Sequence, residues 1–322
     1  MFARTDWQAG DVARNKPATF AVAVVALLVV AGSAVLLRGT STGAPSPDQY
    51  VSDLDQVLVE PKTPHVVIRC GTNEERHLNA DNPVVSPGIP FGAHHTHEYV
   101  GNSSADAMST DESLAAATTT CENDDLSTYY WPVLRLTDGV GHDEHADGGG
   151  LHGNTGEVLR PRSVEIRYDG SPVSDVLPMP RFLRLITGDP SAFTSDYGPL
   201  TRARWGCSDQ PGRFTTKYPL CGSATTLRSY DFGSCWDGNN TDSASHRTHV
   251  VFPLAGGMCP AKTFPIPRLH VTVGYDIPAG RPFAIDSFAE ELRDPATDHG
   301  MYINAMPEAR MAELAGYLNR SR

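Results

Sequence analysis

The sequence "LHVTVGY" (Leu269–Tyr275) alternates apolar residues with polar or small ones along its whole length. In an extended strand successive side chains point to opposite faces, so Leu269, Val271, Val273 and Tyr275 are expected on one buried face. Other short apolar runs are bounded by turn residues: "HVVIRC" (His65–Cys70), "YYWPVLRL" (Tyr129–Leu136), "SVEIRY" (Ser163–Tyr168) and "HVVF" (His249–Phe252). These runs predict a fold built mainly from β-strands.

Helical patterns are few in the rest of the chain. The 322 residues include 29 glycines and 25 prolines, and 40% are hydrophobic, which is typical of a globular protein with many turns. One short helix is predicted after a capping box of Ser109 and Glu112. Another follows Pro307, where apolar residues recur at helical spacing: Met311, Leu314 and Leu318. No βαβ alternation occurs, so we expect a jelly-roll-like β-sandwich with few helices.

The N-terminus carries an uncharged apolar segment, residues 18–37, which as a helix would cross a hydrocarbon core of about 30 Å. Basic residues precede it, so the positive-inside bias predicts a cytoplasmic tail (residues 1–17) and a transmembrane signal-anchor (18–37). A linker (38–49) would lead to an extracytoplasmic domain (50–322) of a single-pass cell-membrane protein. Cleavage of the segment would instead give a secreted protein. The net charge of −12 argues against nucleic acid as a partner.

All six cysteines lie in the expected extracytoplasmic domain: Cys70, Cys121, Cys207, Cys221, Cys235 and Cys259. An even number in an oxidising compartment predicts three disulfides that staple the sandwich. Six cysteines allow 15 pairings. Closeness along the chain favours Cys70–Cys121, Cys207–Cys221 and Cys235–Cys259. A zinc–thiolate site is the weaker alternative, because the sequence has no C-x-x-C pair.

Three of the twelve histidines fall within four residues of "PFGAHHTHEYVGN" (Pro90–Asn102): His94, His95 and His97. His95 and His97 are two residues apart, so an extended backbone projects both rings from one face. Such a pair is a common way to present two imidazoles to one metal ion. A half-exposed polar strand gives the same pattern, so this motif needs partners elsewhere in the chain.

A second cluster lies in "SCWDGNNTDSASHRTHVVFP" (Ser234–Pro253). His246 and His249 come just before an apolar run, and Asp237 and Asp242 lie in the polar turn before them. Histidines three residues apart converge only in a helical turn or a bend, so this pair alone is a weak indication of a metal site.

Two further histidine-containing segments are candidate sites. "DHGMYINA" (Asp298–Ala305) has the lone His299, and a lone histidine is usually structural. The glycine-rich "HDEHADGGGLHG" (His142–Gly153) has three histidines and three acidic residues. Consecutive glycines do not hold ligands rigidly, so this segment is typical of a solvated loop rather than a chelating site.

Together these segments resemble an uncharacterised family catalogued as domain of unknown function nineteen-ninety-six, which occurs in secreted or membrane-anchored actinobacterial and fungal proteins. The resemblance covers about residues 65–305. The corresponding motifs are "HLNADNPVVSPG" (His77–Gly88), "GAHHTHEYVGN" (Gly92–Asn102), "TTTC" (Thr118–Cys121), "YYWPVL" (Tyr129–Leu134), "SCWDGNNTDSASHRTH" (Ser234–His249) and "HGMYINA" (His299–Ala305).

The resemblance joins the histidines of three distant segments in one pattern, but it implies no activity because the family has none assigned. Two departures affect the third motif. This chain has Met301 and Tyr302 where the family usually has an aspartate followed by an aromatic residue, and it lacks the family's closing tryptophan. The role of that carboxylate therefore does not transfer to this chain.

We expect an extracytoplasmic enzyme that acts on cell-envelope or environmental polysaccharide through a histidine site. Zinc or copper bound there would activate water, or oxygen in the case of copper. The expected metal ligands are His95, His97, His246 and His249. The expected acid–base or supporting groups are Asp237, Asp242 and His299.

Three alternatives to a metalloenzyme remain open. A metal-free lyase would combine a histidine with Tyr99 or Tyr302. A non-catalytic module would bind either a metal ion or a glycan, with Tyr130, Trp131 and Trp236 stacking on the sugar chain. A structural envelope protein would use its histidines only for hydrogen bonds to the backbone.

Overall fold

The computed structural model describes residues 45–59, 61–138 and 151–321, and this part of the chain is mainly β. The expected cytoplasmic tail and transmembrane segment lie outside it. None of the helices in these ranges is long and apolar enough to cross a membrane. The strands are β1 Tyr50–Val51, β2 Gln56–Val57, β3 His65–Ile68, β4 Leu78–Asn79, β5 His97–Gly101, β6 Thr128–Pro132, β7 Leu134–Leu136, β8 Glu157–Val158, β9 Ser163–Asp169, β10 Arg184–Gly188, β11 Trp205–Cys207, β12 Arg213–Phe214, β13 Tyr218–Pro219, β14 Thr226–Asp231, β15 Cys235–Trp236, β16 Val250–Val251, β17 Phe264–Pro265, β18 Arg268–Tyr275, β19 Phe283–Ile285 and β20 His299–Ile303.

Helices are few, as the sequence predicts. The α-helices are α1 (Asp111–Ala116) and α2 (Glu308–Arg320), beside short 3₁₀ turns at Pro47–Gln49, Glu122–Asp124, Leu151–Gly153, Ala289–Glu291 and Pro295–Thr297. The capping box of α1 lies one residue later than predicted. Thr110 replaces Ser109 as the cap, because its side chain accepts a hydrogen bond from the Ser113 amide while its own amide donates to the Ser113 hydroxyl.

Two five-stranded antiparallel sheets contain most of the longer strands. Sheet I has the order β11-β14-β18-β9-β3, and sheet II has the order β10-β20-β6-β5-β4. The stretch at Leu269–Tyr275 lies in β18, the central strand of sheet I, where it pairs with β9 and β14. Its four alternating apolar residues are each at most 2% exposed, as the pattern predicts. Neither sheet closes into a barrel.

The two sheets share one hydrophobic core, to which α2 contributes Met311, Leu314 and Leu318. Polar contacts also cross between the sheets inside this core. The Trp131 indole of sheet II donates to the Tyr275 hydroxyl of sheet I at 3.2 Å, and the hydroxyls of Tyr168 and Tyr302 are 2.9 Å apart. The mainly β fold with a docked C-terminal helix is therefore confirmed.

Three disulfides join the six cysteines, and no cysteine is free. The pairs are Cys70–Cys121, Cys207–Cys221 and Cys235–Cys259, as closeness along the chain favours. The first pair connects the residues just beyond β3, at the edge of sheet I, to the segment after α1.

Alternation along the strands of sheet II separates two environments. On β5, Val100 faces the shared core, whereas Tyr99 faces the opposite side and lies in a second, smaller hydrophobic cluster. The segments on either side of β5 contribute three residues to this cluster: Val84, Ala105 and Leu114. We call this side of sheet II its outer face, and His97 lies on it because it is two residues from Tyr99.

Candidate metal centre

Three histidine rings meet at the outer face of sheet II, and we call them the trio. The Nε2 atom of His95 lies 3.1 Å from Nε2 of His97 and 3.4 Å from Nε2 of His299. One ligand nitrogen from each ring lies within 4.8 Å of the other two. Two nitrogens bound roughly 2.0–2.1 Å from a tetrahedral metal ion lie about 3.3 Å apart. The spacing of the trio therefore fits a single metal ion.

Strands position two of these rings and a turn positions the other. His97 begins β5 and His299 begins β20, and β6 pairs with both strands. His95 lies two residues before β5, in a turn where His94 adopts a positive φ of 58°. The His95 and His97 ring centroids are 4.6 Å apart. The spacing of two residues thus brings the rings together, as predicted.

Hydrogen bonds to backbone carbonyls orient two of the three rings. Nδ1 of His97 lies 2.8 Å from the Asp81 carbonyl, and Nδ1 of His299 lies 2.8 Å from the Thr297 carbonyl. A carbonyl only accepts, so each Nδ1 is assigned the proton and each Nε2 keeps its lone pair. Metal-binding histidines are commonly oriented in this way. The buried Nδ1 of His95 has no hydrogen-bond partner among the described residues.

Burial keeps the trio uncharged. Each of its rings is 3% exposed or less. Loss of hydration is the main cause that lowers the pKa of His97 to about 3 and that of His299 to about 4. The pKa of His95 is also well below its usual value, chiefly through burial and then through the other two rings, although the Ala93 carbonyl opposes this shift. The neutral imidazole is the form that binds metal ions.

Two buried ion pairs hold the backbone beside the trio. Asp286 forms hydrogen bonds with Arg135 at 2.7 and 3.0 Å, and it accepts from the amide of Thr96, the residue between the first two histidines. Arg228 forms hydrogen bonds of 3.1 and 2.6 Å with Asp298, the residue before the third histidine. Both ion pairs are bidentate and buried, so they restrict the local backbone strongly.

Glu98 follows His97 in sequence but faces the shared core, since neighbouring strand residues point to opposite faces. Its carboxylate accepts hydrogen bonds from Asn73, the Trp131 indole and the Tyr275 hydroxyl. Burial raises the pKa of Glu98 to about 7, although these three bonds act in the opposite direction. It supports the core behind the trio and does not face the trio itself.

The second histidine pair does not join the trio, contrary to the expectation from sequence. Both ring nitrogens of His249 have other partners: Nδ1 lies 3.0 Å from the Ser243 hydroxyl and Nε2 lies 2.7 Å from the Arg184 carbonyl. Nδ1 of His246 lies 2.9 Å from the Asp242 carboxylate. Over the described ranges, the metal-compatible group at the trio includes neither ring. This H-x-x-H segment forms a turn whose partners are local or on β10.

The carboxylates expected to take part in catalysis also have local partners. Asp237 accepts hydrogen bonds from the amides of Asn239 and Asn240, which closes a polar turn. Asp242 pairs with His246. Neither carboxylate belongs to the metal-compatible group that the trio forms. His299, expected as a catalytic group, lies with His95 and His97 in the trio.

Sequence reasoning missed Phe288. Its half-buried ring lies edge-on to the His95 ring, with centroids 5.2 Å apart. No periodicity marks this residue, because it follows β19 in an irregular segment. Phe288 lies two residues after the buried Asp286, and the sequence alone does not show that either residue is near the trio.

A family model described as "Domain of unknown function (DUF1996)" matches residues 82–305, a range that contains the whole trio. Neither a curated protein nor a solved structure matches the chain. Because the matched range spans well over half of the sequence and agrees with the resemblance of its motifs, the chain belongs to the DUF1996 family.

Proposed function

We propose that the protein is a metal-dependent hydrolase whose centre is formed by His95, His97 and His299. The observation that carries this proposal is the convergence of three neutral, buried Nε2 atoms at distances that suit one ion. Three protein ligands leave the fourth position of a tetrahedral site to water or substrate, which is typical of catalytic zinc. A bound metal ion would lower the pKa of that water and so supply a nucleophile. Imidazole ligands suit copper as well as zinc.

The surrounding residues would keep the ligands in place. The carbonyls of Asp81 and Thr297 hold two rings with their Nε2 lone pairs toward the shared centre. The Arg135–Asp286 pair fixes the turn that carries His95, and the phenyl ring of Phe288 shields one side of that histidine from water.

The proposed substrate is a polysaccharide of the cell envelope or the environment. Phe91 is 56% exposed and lies in the turn before the trio, where its carbonyl accepts from the His94 amide at 3.2 Å. An exposed aromatic ring offers a flat apolar surface on which a sugar ring can stack. The disulfides favour an oxidising compartment, in keeping with the expected single-pass signal-anchor. The shared core of the two sheets supports the finer description of the fold as a jelly-roll-like sandwich.

Burial favours a second candidate, a structural metal site. His95, His97 and His299 are 1%, 0% and 3% exposed, and a closed coordination shell is typical of structural zinc. In that case the metal would tie the turn before β5 to the start of β20, and no substrate would reach it.

Elemental analysis of the purified extracytoplasmic domain tests both candidates. We expect one zinc or copper ion per chain, retained by the unmodified protein and absent from His97→Gln. The metal-loaded protein should then release reducing ends from at least one member of a polysaccharide panel, whereas the chelator-treated protein should not. Tight metal uptake that raises the melting temperature without hydrolysis of any panel member would identify the structural site. A failure to bind zinc or copper tightly would refute both candidates.

A further inference from the structure

Two exposed histidines form a pair close to the trio. Nδ1 of His94 lies 3.0 Å from Nε2 of His152, and the ring centroids are 5.0 Å apart. Nitrogens bound roughly 2.0–2.1 Å from one ion are about 2.8 Å apart when they subtend a right angle and about 3.3 Å apart in a tetrahedron. The observed spacing lies between these values, so small ring rotations would let both nitrogens bind one ion.

Accessibility distinguishes this pair from the trio. Both rings of the pair are exposed, whereas the trio is almost completely buried. An ion that enters from solvent therefore meets exposed imidazoles first. Exposed ligands also exchange with water readily, which suits temporary capture rather than permanent retention.

The pair and the trio are contiguous. His94 directly precedes His95 in the chain, so the two sites share one turn. The ring of Phe288 contacts both residues, with its centroid 6.2 Å from that of His94 and 5.2 Å from that of His95. This half-buried ring therefore lies beside both the surface pair and the trio.

We propose that His94 and His152 form a surface site for a divalent transition-metal ion, and that this site loads the buried trio. The existence of the surface site does not depend on the function proposed above. Its loading role rests on that function, because it requires the trio to be the destination.

Zinc titration of the metal-free protein against a chromophoric chelator tests the surface site. The unmodified protein should bind one equivalent tightly and a second more weakly. The variant His152→Gln should lose the weaker equivalent and keep the tight one. A matched control is His65→Gln, which removes an exposed histidine of β3 and should leave both equivalents in place. Retention of the weaker equivalent by His152→Gln would overturn the proposal.

Stopped-flow loading with substoichiometric zinc tests the role of the site. His152→Gln should fill the tight site several-fold more slowly than the unmodified protein, with the same final occupancy. An unchanged loading rate would overturn the loading role. The variant His299→Gln separates the two proposals, because it should lose the tight equivalent and keep the weaker one. If neither the unmodified protein nor any variant binds zinc tightly, but the weaker equivalent still depends on His152, the surface site is supported and the proposed function is refuted.

Discussion

The role of a buried histidine depends on which groups its two ring nitrogens contact. In His299, Nδ1 meets a carbonyl and Nε2 faces two other rings, so one nitrogen is available to a metal ion. In His249 both nitrogens meet groups of the protein, and neither is available. The two residues are similarly buried, so burial alone does not distinguish a ligand from a structural histidine.

This difference predicts opposite effects for the same substitution. His299→Gln should abolish tight metal binding and destabilise the metal-free protein less than His249→Gln does, because His299 makes one hydrogen bond to the surrounding protein, from Nδ1 to the Thr297 carbonyl, whereas His249 makes two. His249→Gln should keep metal binding but lower the free energy of unfolding by about 1–3 kcal/mol, since it breaks buried hydrogen bonds. Zinc titration and urea unfolding of both variants provide the test. Similar behaviour of the two variants would contradict the distinction.

Acid should destabilise the metal-free protein through the trio. A histidine in the unfolded chain binds a proton near pH 6.5, whereas folded His97 and His299 do so only near pH 3 and pH 4. Between these values the unfolded chain binds more protons, so the free energy of unfolding falls as the pH is lowered from about 6.5. At pH 5 the loss should be about 2 kcal/mol for each of these two rings.

Glu98 has the opposite effect. Its folded pKa of about 7 lies above the unfolded value, so its stabilising contribution is present at low pH and is lost as the pH rises through 7.

The contribution of His97 can be measured separately, because Glu98 is the same in His97→Gln and in the unmodified protein. Urea unfolding between pH 4.5 and 7.5 should show a smaller loss of stability toward acid pH in His97→Gln than in the unmodified protein. Equal losses in the two proteins would exclude His97 as a cause.

Sequence predicted His95 and His97 as metal ligands and expected the third member of the trio, His299, at the same site in a catalytic role. His95 and His97 were identifiable because a spacing of two residues has a direct geometric meaning. His299 lies 204 residues after His95, and only the pairing of β20 with its neighbours brings it to the site. The histidines and carboxylates of residues 234–253 lie close together in sequence, yet they form hydrogen bonds within their own turn or to β10. Several histidines and carboxylates close together in sequence do not show which strands pair, and strand pairing is what brings distant ligands together.

At the level of elements, Gly188 determines how closely β10 approaches the site. It pairs with His299 across β20 and has a φ of 82°. A Cβ atom at this position would lie 2.3 Å from the Asp298 carbonyl oxygen and 2.7 Å from the Cα of His299. The close approach of these two strands therefore depends on glycine. The apolar spacing of "RFLRLITG" (Arg181–Gly188) suits a strand or a short helix, and the structure forms strand β10 over Arg184–Gly188.

Gly188→Ala should displace the start of β20 and weaken metal binding. Gly256→Ala is the matched control, since Gly256 has a φ of 90° but a Cβ atom added there would meet no other atom within 4 Å. The control should lose only the conformational preference of glycine, about 1–2 kcal/mol, with unchanged zinc affinity. Gly188→Ala should lose more stability and also bind zinc less tightly. Unchanged affinity in Gly188→Ala would show that this contact does not position His299.

At the level of the whole molecule, the disulfides tie together parts that the sheets alone do not connect. Cys70 and Cys121 are 51 residues apart and join the edge of sheet I to the segment after α1. Cys207 and Cys221 are only 14 residues apart. Sequence predicted all three pairs because short loops are the simplest to close, whereas the packing of the two sheets was not contained in any local pattern.

The loop lengths predict a ranking of the disulfides. Replacement of Cys70 and Cys121 together by serine should lower the free energy of unfolding by about 1 kcal/mol more than replacement of Cys207 and Cys221, because the longer loop restricts the unfolded chain more. Urea unfolding of the two double variants measures this difference. The opposite order would indicate that native contacts at Cys207–Cys221 outweigh the loop entropy.

The alternation along sheet II also bears on how such a protein can evolve. His97 and Glu98 are adjacent in sequence, yet His97 belongs to the trio and Glu98 forms hydrogen bonds in the shared core. Selection can therefore exchange the residues of the trio without repacking the shared core of the two sheets. For protein engineering the same property allows the residues of the trio to be redesigned for a new coordination chemistry while the shared core stays unchanged. Conversely, a lineage that lost the trio could keep the fold intact, so such a member would still be recognisable by its core.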